Sequence, residues 1–188
     1  MVLKFKDTLK SERLILKRTR PTIELAEKMF NLVDKNRKYL EPWLDWSKKT
    51  LNVEDSMKYL FDKEEETKKG NKIEYGLFIK KEYIGNISLF NIDIKNKSAE
   101  IGYWISFSHA RKGYVSEAVR TLEKEAFENL NLNRIVIRCD EENIPSGGVA
   151  KKCKYTLESK FREDSFSEYF NSFRNTFIFS KLKSEYKK

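Results

Sequence analysis

The sequence predicts one domain built on a mixed α/β sheet, and three observations carry that expectation. Three consecutive segments between Lys72 and Ser106 have strand texture, IEYGLFI, YIGNISLFNI and SAEIGYWI, with turn residues at Lys80–Glu82 and Lys95–Lys97. Apolar residues recur at helical spacing on either side, at Ile23, Leu25, Ala26, Met29, Phe30 and Val33, and again at Tyr114, Ala118, Leu122 and Ala126. The 188 residues show no repeat, low-complexity linker or composition break, so a single domain over residues 1–188 is expected.

In chain order, Glu12 to Lys17 (ERLILK) is a short apolar run read as a strand, and Pro21 precedes the first amphipathic helix. Tyr39, Leu40, Pro42, Trp43, Leu44 and Trp46 interrupt the pattern before a second helix from Val53 to Lys69, stopped near Gly70. Its tail, DKEEETKK, reads as a solvated face. The three strands then form an antiparallel meander. In the third, alternation puts Ala99, Ile101, Tyr103 and Ile105 on one face and Glu100, Gly102 and Trp104 on the other. A loop from Ser106 to Gly113 leads into a helix reaching about Asn129, followed by a strand over Arg134–Asp140 and a short helix over Ser146–Lys152. Two final strands cover Tyr155–Arg162 and Thr176–Lys181, giving the order β-α-α-β-β-β-α-β-α-β-β.

Composition removes several function classes. One histidine, His109, leaves a hydrolase triad a single candidate base. Cys139 and Cys153 lie far apart and outside any C-x-x-C pair, so neither a structural zinc site nor a disulfide framework is expected; both read as small buried residues of a chain in a reducing cytoplasm. None of the seven glycines falls into G-x-G-x-x-G or G-x-x-x-x-G-K-[ST], which removes the dinucleotide and P-loop cradles. No apolar run approaches the roughly 20 residues of a membrane span, and Met1–Lys10 alternates lysine with apolar residues. A net charge of +9 favours a phosphorylated or polyanionic partner without naming one.

The stretch that carries chemistry is strand, loop, helix: His109-Ala110-Arg111-Lys112-Gly113 ahead of Tyr114. Backbone N–H groups entering a helix have no intrahelical acceptor and, with the helix dipole, attract an anion; Gly113 lets a phosphate approach, and Arg111 and Lys112 add charge. Alone, this loop reads first as an ordinary basic turn capped by one glycine. Together with AEIGYWIS before it, SEAVRTLEKEAF after it and LNRIVIRCDEENIPSGGVAKKCKYTLE beyond, the chain resembles the GNAT superfamily of acyl-CoA-dependent N-acetyltransferases. SERLILKR and NRKYLEPWLDW make it similar to the RimJ/RimL-type ribosomal-protein N-terminal acetyltransferases. Three positions in two places depart from the pattern. Ala110 and Val115 flank Gly113 where the loop form Q/R-x-x-G-x-G/A has polar and small residues, and Lys154 stands where glycine follows the short helix.

The resemblance implies a mostly antiparallel central sheet with helices on both faces, and acetyl-CoA as cosubstrate with no metal. It implies that the strands around Trp104 and from Arg134 splay to admit the pantetheine arm. Arg111, Lys112, Gly113, Tyr114 and Val115 would then hold phosphates, a backbone N–H at Ser106 or Phe107 would polarise the thioester carbonyl, and Asn143 would bond the pantetheine or act as a turn residue. Ala150 occupies the position of the tyrosine acid many members use, so Ser146 becomes the candidate donor to the thiolate, or a helix cap. Glu168 in SEYFNSFRN is the preferred base, and Glu100 the other candidate. Trp43 and Trp46 either pack or wall the substrate site, and His109 is a structural loop residue.

An α-amine has a pKa near 8 and a lysine amine near 10.4, so roughly a tenth of the former and about a thousandth of the latter is neutral at neutral pH. A protein N-terminus therefore needs little base assistance, and acetylation of the N-terminus of a ribosomal or other protein is expected, with ribosome association and a homodimer compatible. The rivals are a small amine such as a polyamine or antibiotic, and a non-catalytic basic module that binds RNA or the ribosome.

Overall fold

The computed structural model describes residues 4–186, so Met1–Leu3 of the lysine-alternating N-terminal stretch lie outside the described residues. Strands β1 (Thr8–Lys10) and β2 (Ile15–Arg18) open the chain, followed by helices α1 (Ile23–Lys35), α2 (Arg37–Leu40), α3 (Trp46–Lys49) and α4 (Val53–Lys68). The meander is β3 (Ile73–Ile79), β4 (Glu82–Asp93) and β5 (Ser98–Ile105). A 3₁₀ turn at Phe107–His109 precedes α5 (Tyr114–Lys124), whose axis continues as a wider π turn through Glu125–Asn129. Then come β6 (Arg134–Asp140), α6 (Ile144–Lys152), the hairpin β7 (Thr156–Ser167) and β8 (Ser172–Leu182), and α7 (Lys183–Tyr186).

The eight strands form one sheet in the order β1-β2-β3-β4-β5-β6-β8-β7, antiparallel except at β5–β6. The expected mixed α/β class holds, with differences of detail, among them the added short helix α7. β1 is missed because three residues with only Leu9 buried are too few to show a period. Short helical turns fill the Arg37–Lys49 segment read as irregular. The last two strands run further than expected because most of β7 is solvent-exposed and lacks hydrophobic alternation.

Helix starts follow their caps. Thr22 accepts from the Leu25 N–H at α1, and Asn52 with Asp55 forms a reciprocal box at α4. Alternation along the strands divides the core between the two faces of the sheet. Leu77 packs with Leu16, Tyr75, Ile101, Ala118, Leu122 and Ile135 under α5, while its neighbour Phe78 packs with Ala26, Met29, Val33, Leu60 and Tyr83 under α1 and α4. Among the described residues, no helix is long and apolar enough to cross a membrane.

The functional consequence lies at the parallel pair. β5 and β6 are joined only at Ser98↔Arg134, Ala99↔Ile135 and Glu100↔Val136. Beyond that point β5 stays on β4 through Ile105, and β6 stays on β8 through Asp140. Gly85 permits the tight β4–β5 contact: its φ is +153°, and a Cβ there would lie 2.2 Å from the Trp104 carbonyl oxygen. Each strand is held to its outer partner, so the two diverge and leave a wedge in the middle of the sheet.

Candidate active site

The wedge is the throat of a cavity of about 1300 Å³. Ile101–Ile105 of β5 and Ile137–Asp140 of β6 form its walls. In an antiparallel pair, alternate residues turn their peptide groups toward the partner. The Ser106 N–H donates to the Ile84 carbonyl at 2.9 Å, and this fixes the parity: even residues of β5 bond β4, and the N–H groups of Tyr103 and Ile105 face the opening. Those are edge donors suited to an extended arm. The positions expected to supply such a donor are committed elsewhere, Ser106 to Ile84 and Phe107 to the Asn36 Oδ1 at 2.8 Å. Ser106 is buried, with its Oγ 2.8 Å from the His109 Nδ1, and braces the loop, while Phe107 lines the cavity rim.

At one end the cavity meets the start of α5. Arg111, at φ 60°, and Gly113, at φ +84°, turn the chain sharply so that helical N–H groups face outward, and no side chain caps them. Arg111, Gly113, Tyr114 and Val115 line the cavity, whereas Lys112 is exposed beside it. Two cations that sequence reasoning missed complete this end. The Arg13 Nη2 and Lys152 Nζ lie 3.4 and 3.6 Å from where a Gly113 Cβ would be. Neither was legible locally, since Arg13 belongs to the segment before β2 and Lys152 to the end of α6.

In the throat, α6 begins at Asn143, which lines the cavity and whose Oδ1 accepts the Ser146 N–H at 3.2 Å. The Ser146 Oγ lies 3.1 Å from the Tyr103 hydroxyl, which also donates to the Ser146 carbonyl at 3.1 Å. Burial pushes the Tyr103 phenol well above its usual range, so it stays a proton donor. Cys139, beside Ser146, is likewise pushed up by burial and stays a thiol. Tyr103 is a second hydroxyl beside Ser146, and unlike Ser146 it is not singled out from the sequence.

The other end is aromatic. Tyr39, Trp43, Trp104 and Phe107 line it, and Arg37 ties the supporting segment down through the Asp34 carboxylate and the carbonyls of Ser47 and Thr50. Trp43 packs on Phe170 of the β7–β8 turn, with ring centroids 5.8 Å apart. Trp46 sits behind this wall and does not line it; it packs on Tyr59 and Trp104 at 6.4 and 5.7 Å.

Two carboxylates reach the cavity, and both are engaged. Asp140 accepts from the Arg174 Nε at 2.9 Å, and Asp164 from the Arg138 Nη2 at 2.7 Å. Glu168 lies in the β7–β8 turn, exposed, 3.9 Å from the Lys48 Nζ and one turn residue from Tyr169, whose ring Lys48 also covers. Glu100 lies outside the cavity and accepts from the Asn91 Nδ2 at 2.9 Å. The structure therefore gathers Trp43, Arg111, Gly113, Tyr114, Val115, Asn143 and Ser146 around one cavity, with Phe107 at the rim. It leaves Trp46, Glu100, Ser106, Lys112 and Glu168 off its lining.

An open strand edge between a cationic helix start and an aromatic mouth fits a thioester carried on a phosphorylated arm. The comparisons with known proteins agree. A family model described as an acetyltransferase (GNAT) domain matches residues 13–156. The ribosomal-protein-serine acetyltransferase of Escherichia coli (strain K12) is 31% identical over 138 residues, 73% of this chain and 77% of that one. Among solved structures, a RimL ribosomal L7/L12 α-N-protein acetyltransferase bound to coenzyme A has the same fold, with a TM-score of 0.87 and 24% identity over 93% of this chain and 97% of its own. The microcin C7 self-immunity acetyltransferase MccE, bound to acetyl-CoA and AMP, superposes with a TM-score of 0.83 at 25% identity over 92% and 93%. The domain match opens at Arg13, beside the Arg111–Gly113 loop, and closes at Thr156, past the last residue of α6, so it spans the throat and its cationic end: the chain belongs to the GNAT acetyltransferases and is an acetyl-CoA-dependent N-acetyltransferase.

Proposed function

We propose that the acceptor is the N-terminal α-amine of a protein, with a ribosomal protein as the candidate partner in the cytoplasm. The observation that carries this reading is the mouth of the cavity. Its walls are Tyr39, Trp43, Trp104 and Phe107, and the two carboxylates that reach the cavity are already paired with arginines. A polyamine site needs unpaired carboxylates facing its ammonium groups, whereas aromatic walls suit the backbone and side chains of a peptide. The ribosomal-protein-serine acetyltransferase relative supports the protein acceptor. MccE, on the same fold, keeps a small amine as the second reading.

When bound, acetyl-CoA supplies an acetyl thioester and a thiol leaving group. Gly113, Tyr114 and Val115 offer backbone to its phosphates, Arg111 and Lys112 offer charge, and Asn143 holds the start of α6 beside the arm. The N–H groups of Tyr103 and Ile105 lie on the open edge where a carbonyl oxygen can be polarised, and Ser106 and Phe107 fix the loop that follows. The Ser146 hydroxyl, backed by Tyr103, donates a proton to the departing thiolate and is reprotonated from solvent after the thiol leaves. Glu168, on the turn that Trp43 packs against, takes the proton of the incoming ammonium through water; Glu100, bonded to Asn91, supports β5. Trp43 orients the peptide, and Trp46 stiffens the wall behind it.

The test is competition between a peptide with a free N-terminus, the same peptide blocked at its N-terminus but carrying lysine, and spermidine, with the acetyl group located by mass spectrometry. The free N-terminus should be acetylated on the order of a hundred times faster than lysine, following the fractions of neutral amine. Preference for spermidine or lysine would overturn the N-terminal reading. Binding of acetyl-CoA without turnover of any amine would favour the non-catalytic module.

A further inference from the structure

Arg13 is held by more bonds than a surface arginine needs. Its Nε donates to the Glu117 Oε2 at 2.7 Å, its backbone N–H to the Glu117 Oε1 at 2.7 Å, and its Nη1 to the Lys112 carbonyl at 3.1 Å. The guanidinium carbon stands 4.5 Å from the centre of the Tyr114 ring. Ser11 adds a third bond to Glu117, from its Oγ at 2.6 Å. Burial pulls the Glu117 carboxyl upward, and the bonds from Ser11 and Arg13 outweigh it, so Glu117 is held below the usual carboxylate range. Of the guanidinium nitrogens, Nη2 is the one left over, and it lies 3.4 Å from where a Gly113 Cβ would be. Lys152 faces the same spot at 3.6 Å, and the Arg120 Nη2 bonds the Lys152 carbonyl at 3.0 Å.

We propose that Arg13 is a cofactor-binding residue whose Nη2 donates to the pyrophosphate of acetyl-CoA at the start of α5, with Glu117 as its positioning residue and Lys152 as the flanking cation. The inference rests on the acetyl-CoA reading above. It also accounts for Ala110. The loop lacks a polar side chain at that position, and a guanidinium from the segment before β2 reaches the same helix start from the other side. Arginine suits the task because its planar fork can satisfy Glu117 and Lys112 and still present a nitrogen to an anion, which the single ammonium of a lysine cannot do.

Calorimetric titration of coenzyme A and of dephospho-coenzyme A, which lacks the 3′-phosphate, tests this with wild type, Arg13→Gln, Arg13→Lys and Glu117→Gln. Loss of one charge-assisted phosphate contact should weaken coenzyme A binding roughly tenfold in Arg13→Gln, and by the same factor with dephospho-coenzyme A. Arg13→Lys should recover part of the loss. The salt dependence of Kd should flatten in Arg13→Gln but not in Arg13→Lys, a change that a purely structural role would not produce. Glu117→Gln should weaken binding less than Arg13→Gln, with its salt dependence unchanged. Unaltered affinity in a folded Arg13→Gln protein would overturn the assignment. A defect that disappears with dephospho-coenzyme A would overturn it in favour of the 3′-phosphate. Failure of wild type to bind coenzyme A at all would remove the acetyl-CoA reading itself.

Discussion

Replacing Gly113 with alanine should separate two roles of one residue. Its φ of +84° and ψ of −1° place it in the left-handed region, where an alanine costs about 1–2 kcal/mol. The smaller conformational freedom of alanine in the unfolded chain returns about 0.4–1 kcal/mol of that. The added Cβ would meet the Arg13 Nη2 at 3.4 Å and the Lys152 Nζ at 3.6 Å, ordinary contact distances, so packing adds little. Net destabilisation of about 1 kcal/mol lowers Tm by roughly 2–4 °C in a chain of this length. Binding should suffer far more, because the methyl stands between two cations and in front of the open N–H groups of α5. Displacing a phosphate from one such bond, about 1.5–3 kcal/mol, weakens Kd by roughly ten- to a hundredfold. Thermal melting and calorimetric titration with coenzyme A, run on the same preparations, read the two effects apart. A Gly113→Ala protein that melts a few degrees lower yet binds coenzyme A as wild type does would refute the phosphate role of this loop and leave only a strained turn.

Three further outcomes follow from particular contacts. Ser146→Ala should cost roughly 10²–10⁴ in kcat if its hydroxyl is the acid, while Tyr103→Phe should cost less and add nothing further in the double variant, because Tyr103 acts through the Ser146 hydroxyl 3.1 Å away; additive losses in a full kinetic cycle would separate them. Arg134 donates to both oxygens of Glu158 and holds that carboxyl down to about 2, so the pair's stabilisation is full above pH about 4.5 and is lost as the pH falls toward about 2. Glu158 is 38% exposed and the deficit of Glu158→Gln is correspondingly small, within about 0.2–1 kcal/mol; melting curves should show it at pH 6 and converge with wild type near pH 2, and a gap that persists there would assign it to packing. Lys154→Gly should raise Tm by a few degrees, since Lys154 holds φ 60° in the turn after α6, and relieving about 1–2 kcal/mol of strain exceeds the entropy cost of a glycine; an unchanged or lower Tm would mean that the lysine side chain contributes contacts of its own.

The expected fold and the observed one agree where residues carry their own period. Ser98–Ile105 reads as a strand and Ile23–Val33 as a helix because burial on one face repeats along each, and Ile73–Ile79 reads as a strand because it is a short, mostly apolar run buried on both faces. Agreement is poorest where little is buried: β7 is exposed along most of its length, with Phe161 and Phe166 facing solvent, so nothing in the local pattern marks how far the hairpin reaches. The site divides the same way. Gly113 and Ser146 announce themselves by residue type and neighbours, while Arg13 meets Glu117 only after folding, and Tyr103 finds Ser146 across the throat. Peptide groups are harder still to read, because which N–H faces the cavity is decided by strand parity. The Ser106 N–H is taken by Ile84 and the Phe107 N–H by Asn36, and this leaves Tyr103 and Ile105 as the edge donors, a result that no side chain encodes. The throat exists because β5 is bound to β4 and β6 to β8 along lengths that the short β5–β6 pairing does not share. Gly85, which never touches the cavity, belongs to the active site in this sense: any side chain there would strike the Trp104 carbonyl and displace β5, and with it the aromatic wall and the donors facing the arm.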